Sequence, residues 1–157
     1  MNSMKKNFIK LAPELYDKKH VEKTTEVKFF PTSKTQRGSF INPKTDRVVT
    51  EFEYRVYELC KQIPEGYFST YKAMADAIGS GSRAVGNALR KNPFAPLPVP
   101  CHRVITSDFF LGGFDGDTRT KIFWKKEILE DEGLVFDAKG YVDQSMRDRL
   151  FRDFVVS

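Results

Sequence analysis

Four of the chain's eight prolines, Pro93, Pro96, Pro98 and Pro100, fall within eight residues and end against a Cys-His-Arg triplet, residues 101–103. Proline fixes φ, lacks an N–H and pushes the residue before it out of the helical region, so this stretch is neither helix nor central strand. A stiff, irregular segment therefore delivers Cys101 and His102 to one place. A thiol becomes a nucleophile only as thiolate, and an ordinary cysteine holds only a few per cent of it at neutral pH. A base is needed, and His102 is the nearest histidine. Neighbouring side chains rarely touch, so a water between the two is the expected route for the proton. Taken alone, a Cys-His pair is more often structural than catalytic.

Charge narrows the surroundings. The net charge is +5. It is concentrated in residues 1–50, at +6, and residues 66–105, at +4, whereas 51–65 and 106–157 are net acidic. Positive charge confined to two blocks suits a polyphosphate partner, though a basic pI also serves solubility alone. The chain has no run of about 18 apolar residues and no signal-like start, which makes an intracellular protein the expectation, in the nucleus of a eukaryote or the cytoplasm of a prokaryote. No membrane partner is expected. Two cysteines, Cys60 and Cys101, and two histidines, His20 and His102, lack zinc-site spacing, and no Gly-rich phosphate loop occurs. Neither a metal nor a cofactor is expected, at least one thiol is expected to be free, and a monomer is the default.

Residues 1–50 have weak periodicity and read as a basic, partly ordered arm with room for a short strand or hairpin, Val27, Phe29 and Phe30 being the strand candidates. From Glu51, apolar residues Phe52, Val56, Leu59 and Ile63 recur at helical spacing until Pro64 and Gly66. Ser69 is the expected N-cap of a helix through Ile78, stopped by Gly79, and Ser82 the cap of a second helix reaching Arg90. Two short helices around a Gly-Ser-Gly turn read as a helix-turn-helix. On the second, Arg83, Gly86, Asn87 and Arg90 share one face, and Val85, Ala88 and Leu89 the other. Residues 105–114 suit a small wing or loop. Asp117 is the expected cap of a helix of about sixteen residues ended by Gly133. A strand-turn-strand follows near residues 134–143, then a short helix with Met146, Leu150 and Phe154 on one side. The fold class is mainly α with small β elements, a winged helix-turn-helix-like domain over 51–157 behind the arm of residues 1–50.

The blocks Ser69-Thr70-Tyr71, Arg83-Ala84-Val85-Gly86 and Asn92-Pro93, followed by Pro100-Cys101-His102-Arg103-Val104 and Asp131-Glu132-Gly133, occur in an order and spacing that resemble the active-site domain of the O6-alkylguanine-DNA alkyltransferases. The resemblance runs from about Glu51 to Gly133. It implies DNA repair by stoichiometric, single-turnover transfer of an alkyl group from O6-alkylguanine in double-stranded DNA, with the base flipped through a minor-groove helix-turn-helix. On that resemblance Cys101 is the alkyl acceptor, His102 the base through water, Glu132 the partner that orients His102, Asn92 the brace of the reactive loop, and Tyr71 the hydroxyl offered to the flipped guanine. Arg83 fills the vacated stack, Ala84 and Gly86 let the helix approach the groove, and Lys72, Arg90 and Ser107 contact phosphate. Leu89, Val104, Phe114, Asp115 and Gly116 line the alkyl pocket. Asp115 departs from the family pattern; it either repels phosphate or, protonated, donates to O6. The family's additional N-terminal domain is larger than fifty residues allow. The related alkyltransferase-like proteins, which bind lesions without repair, carry tryptophan where this chain has Cys101. Lesion binding without transfer, or a winged-helix regulatory role, is the alternative.

Overall fold

The computed structural model describes residues 26–112 and 121–156. In chain order these hold α1 (Lys34–Ser39), β1 (Ile41–Asn42), β2 (Arg47–Val48), α2 (Glu51–Cys60), β3 (Ser69–Thr70), α3 (Tyr71–Ile78), α4 (Ser82–Arg90), a 3-10 turn (Cys101–Arg103), β4 (Val104–Ile105), α5 (Lys121–Asp131) and a second 3-10 turn (Gln144–Arg149). The mainly helical expectation is met. β1 and β2 form an antiparallel hairpin, and β3 pairs in parallel with β4, Ser69 opposite Val104 and Thr70 opposite Ile105.

Two apolar clusters organise these elements. The first joins Val56, Tyr57, Leu59 and Cys60 of α2, Met74 of α3, and Val85, Ala88 and Leu89 of α4 to Phe94, Val99 and Val104. The second joins Phe68, Ile105 and Leu111 to Ile122, Phe123 and Leu129 of α5 and to Leu134, Phe136 and Val142. The β3–β4 pair carries chain from one to the other, so the segment holding Cys101 to Ile105 lies at their seam.

Helix starts follow capping chemistry more closely than the sequence reading did. α2 opens with a capping box in which Thr50 Oγ1 accepts from Glu53 N at 3.1 Å and Glu53 Oε1 accepts from Thr50 N at 2.9 Å, an arrangement worth about 1 kcal/mol. The cap of α3 is Thr70, whose Oγ1 accepts from Ala73 N at 3.0 Å. Ser69, expected there, lies in β3 and donates to Phe151 O at 2.8 Å. Gly81, not Ser82, precedes α4 and makes no side-chain cap. Gly79 ends α3 as expected, at φ 66°, where a β-carbon is strained. The α2 helix stops at Cys60, although Ile63 stays buried beyond it.

Residues 26–50 are more ordered than an arm. Phe30 and Phe40 pack on the first cluster, with ring centroids 4.9 and 5.1 Å from Phe94. Asn42 Nδ2 donates to Lys91 O at 2.9 Å, and Arg37 pairs with Glu58 at 2.6 Å. The hairpin allowed within residues 1–50 is present at 41–48, whereas of the strand candidates Val27 makes one isolated bridge, to Leu97, and Phe29 is exposed. At the other end Phe136 bridges Val142 across a turn, as expected of a strand-turn-strand. The expected last helix is a 3-10 turn followed by extended chain: Met146 and Leu150 pack on the second cluster, whereas Phe154 packs on the first, so the three do not share a side. Residue 117, the expected cap of the long helix, lies outside the described residues, as do the first twenty-five residues and Phe114, Asp115 and Gly116 of the expected alkyl pocket.

Candidate active site

The proline-rich loop before Cys101 is braced from inside. Asn92 is buried, its Oδ1 accepting from Phe94 N at 2.8 Å and its Nδ2 donating to Val99 O at 3.0 Å. Because a proline-rich stretch supplies few N–H groups of its own, one side chain that spans seven residues substitutes for the missing backbone ladder. Phe94 is locked among Phe30, Phe40, Tyr54 and Tyr57. The loop ends with Cys101 N donating to Val99 O at 2.9 Å and Arg103 N donating to Pro100 O at 2.9 Å. That tight turn leaves Cys101 half-buried against the first cluster and directs His102 and Arg103 inward. Neither Cys60 nor Cys101 is in a disulfide.

His102 is 1% exposed, and its Nε2 lies 3.1 Å from Glu132 Oε2. Glu132 also receives Arg103 as a fork, Nε to Oε1 at 2.9 Å and Nη2 to Oε2 at 2.8 Å, while Arg103 Nη1 donates to Ile63 O at 2.8 Å. Burial pushes the Glu132 carboxyl up, but the hydrogen bonds and charges of His102 and Arg103 outweigh it and hold the group at about 2. Burial lowers the His102 pKa, against the pull of Glu132. At neutral pH the pair is therefore a neutral imidazole beside a carboxylate. Nε2 carries the proton that Glu132 accepts, which leaves Nδ1 with its lone pair as the basic atom.

Lys125 is the residue the sequence reading missed. It is 1% exposed, donates from Nζ to Val104 O at 2.6 Å, and stands 5.9 Å from the centroid of the Tyr71 ring. Burial lowers its pKa to about 7, and the charge of Cys101 pulls the other way, so ammonium and thiolate favour one another. A signal was present: Lys125 sits three residues after Ile122 and four before Leu129, interrupting the apolar stripe of α5. Tyr71 borders the same space. Burial first, and then the charges of Cys101 and Cys60, raise its phenol well above the ordinary value, so it stays a hydrogen-bond donor. Cys60 is fully buried, with burial raising its thiol, which disposes it against reactivity.

The remaining expected residues divide between surface and core. Arg83 and Arg90 are exposed on α4, with Ala84 and Gly86 half-buried between them. At Gly86, α4 passes close to Tyr71: a β-carbon there would lie 3.9 Å from Tyr71 Cδ1. Lys72 is exposed and paired with Asp76 at 3.0 Å, and Ser107 is exposed after β4. Leu89 and Val104 are core residues of the cluster against which Cys101 packs. No group of three or more metal-ligating side chains occurs among the described residues.

Fold and site together define a helix-turn-helix domain that carries a cysteine, a buried histidine–glutamate pair and a buried lysine behind its basic helix. The chain belongs to the family described as 6-O-methylguanine DNA methyltransferase, DNA binding domain, whose model matches residues 51–134. A methylated-DNA–protein-cysteine methyltransferase of Methanothermobacter thermautotrophicus is 40% identical over 90 residues, 57% of this chain and 48% of that protein. One from Sulfolobus acidocaldarius is 40% identical over 97 residues, 62% of this chain and 59% of that protein. The chain spans about half the length of the curated relatives it matches. Among solved structures, S. pombe Atl1 in complex with damaged DNA containing O6-carboxymethylguanine is similar at a TM-score of 0.52 and 30% identity, over 64% of this chain and 94% of that one.

Proposed function

We propose that this protein repairs duplex DNA by moving an alkyl group from the O6 of guanine to Sγ of Cys101, once per molecule. His102 Nδ1 takes the thiol proton through a water, and Glu132 steadies the imidazolium that results. The thiolate, favoured by Lys125, attacks the alkyl carbon; the S–C bond forms as the C–O6 bond breaks. The electron pair goes to guanine, which Tyr71 supplies with a hydrogen bond or proton as it leaves. The product thioether is not cleaved by water or imidazole, so the reaction ends there. Arg83 fills the stack left by the flipped base, and Arg90, Lys72 and Ser107 hold phosphates. The site requires no cofactor. A protein acting on chromosomal DNA works in the nucleus of a eukaryote or the cytoplasm of a prokaryote.

The observation that carries this reading is a half-buried cysteine next in sequence to a buried histidine held 3.1 Å from a partly buried carboxylate, in the loop that follows a helix-turn-helix. Lesion binding without transfer is the second reading, favoured by the likeness to Atl1 bound to damaged DNA; Cys101, where the lesion-binding relatives carry tryptophan, stands against it. Intact-mass measurement after incubation with an O6-methylguanine duplex decides between them. One methyl added, mapped to Cys101 and absent in Cys101→Ser, is the expected result. Tight binding with no adduct overturns transfer.

A further inference from the structure

Beside the helix pair lies a cleft of about 470 Å³ that neither the thiol nor the recognition helix occupies. Its walls come from three places: Thr70, Lys72 and Asp76 along α3 and its cap, Ser107 and Phe109 after β4, and Arg152 from the C-terminal segment. Residue 152 lies beyond the stretch shared with the family, and no periodicity marks it, yet its backbone is fixed. Phe68 bridges Leu150 in parallel, Phe151 N donates to Phe68 O at 2.7 Å, and Ser69 Oγ donates to Phe151 O at 2.8 Å. Further on, Phe151 and Phe154 pack edge to face at 5.0 Å, and Gln62 makes paired hydrogen bonds of 2.8 Å with the N–H and C=O of Val155. The tail is thus a strap laid along β3 and returned to α2. It holds an arginine at the mouth of the cleft with its side chain exposed, making no ion pair among the described residues.

We propose that Arg152, outside the stretch shared with the family, joins Lys72 and Ser107 of the transfer reading in this cleft and is the principal ligand of a backbone phosphate of the bound duplex. This deepens the transfer reading and rests on it for the identity of the DNA. One wall carries Lys72 paired with Asp76 on α3, and Arg152 comes from the C-terminal segment, so two cations and one carboxylate line a space large enough for a phosphodiester and its sugar. Arginine's planar fork suits phosphate oxygens, Ser107 adds a hydroxyl, and Phe109 offers an apolar wall for the sugar. The occupant is DNA rather than a free anion because the cleft adjoins the helix pair: Lys72 and Asp76 belong to α3, and Thr70 and Lys72 flank in sequence Tyr71, the residue that the transfer reading sets at the flipped guanine. The strand carrying the flipped guanine therefore runs through the cleft. Asp76 keeps Lys72 at 3.0 Å in the free protein and is displaced from it, or neutralised, as phosphate enters.

The test measures affinity of the full chain for an undamaged and an O6-methylguanine duplex over a range of salt. Arg152→Ala is expected to weaken both about 5- to 20-fold and to lower the slope of log K against log salt by about one, the signature of one lost phosphate contact. Asp76→Asn is expected to tighten both. Arg152→Lys retains part of the affinity, and Lys139→Ala, in an exposed turn, is the control that changes neither. Methyl transfer from free O6-methylguanine base to Cys101 is likewise unaltered in Lys139→Ala. Unchanged affinity and slope in Arg152→Ala overturn the cleft assignment, and so does an effect confined to the damaged duplex. Failure of the wild type to acquire a methyl group, with the Arg152 effect intact, overturns transfer and leaves the cleft standing.

Discussion

His102 Nε2 lies 3.1 Å from Glu132 Oε2, and the same carboxylate is forked onto Arg103, so one side chain fixes both residues that follow the reactive cysteine. Removing its charge leaves Arg103 buried without a counter-ion and releases the His102 tautomer. Glu132→Gln is expected to destabilise the fold by about 3–5 kcal/mol, the cost of breaking a buried ion pair on one side. Transfer is expected to slow more than DNA binding weakens. Urea unfolding and single-turnover kinetics on one preparation check both; a variant of native stability that transfers at the native rate refutes the role given to Glu132.

The same pair sets an acid limit. Glu132 is held at about 2 in the fold against 4.5 for the free group, so its contribution is complete above 4.5 and lost as pH falls toward 2. The His102 pKa is lowered below 6.5, so an unfolded chain takes up a proton that the fold refuses, and stability also falls as pH drops below 6.5. The two effects have one sign. Urea midpoints are expected to decline from pH 7.5 to 5.5 and more steeply from 4.5 to 3, with the lower step reduced in Glu132→Gln.

Asn92 acts by structure alone. Asn92→Ala strands Phe94 N inside the core, at about 1–3 kcal/mol, and removes one of the two donors to Val99 O, which keeps Cys101 N. A loss of about 1–3 kcal/mol is expected, together with slower transfer, because the loop no longer delivers Cys101 at one position. Hydrogen exchange at Phe94, faster in the variant, reports the local opening.

How far such features could be read beforehand depended on whether neighbours in sequence specify them. The proline run, the Gly79 stop and the core and exposed faces of α4 were legible because each is local or periodic. Thr70 took the cap expected of Ser69 because pairing with β4 drew Ser69 into a strand, a contact thirty-five residues away. Residues 26–50 looked like an arm because their apolar side chains are sparse; Phe30 and Phe40 find their place only against Phe94, which the later loop positions. Lys125 was hidden because a lysine reads as surface until the fold encloses it. The roles of His102 and Glu132 came from motif resemblance, and nothing in their spacing of thirty residues foretold that they would meet.

Arg83 stands exposed at the start of α4, and on the proposed reading its task arises only when a base has left the stack. Arg83→Ala is expected to slow transfer from duplex DNA by about tenfold or more and to leave transfer from free O6-methylguanine base untouched, since no gap then needs filling. Equal losses on both substrates mean that the arginine supports the fold instead.

Lys125 allows a sharper division between fold and chemistry. Burial lowers its pKa to about 7 from 10.5, so the folded chain holds its proton less tightly than the unfolded chain, and wild-type stability gains from rising pH between about 7 and 10.5. Lys125→Met keeps the length and removes the titration, so that gain disappears and the variant is the more stable protein at pH 7 unless the lost hydrogen bond to Val104 O offsets the relief. Transfer responds in the opposite sense. Without a cation near Cys101 the thiolate forms less readily, and the transfer rate at neutral pH is expected to fall about tenfold, with recovery as pH rises toward the ordinary thiol range. A Lys125→Met protein whose rate and pH profile match the wild type would remove the lysine from the mechanism and leave it as a buried brace for β4.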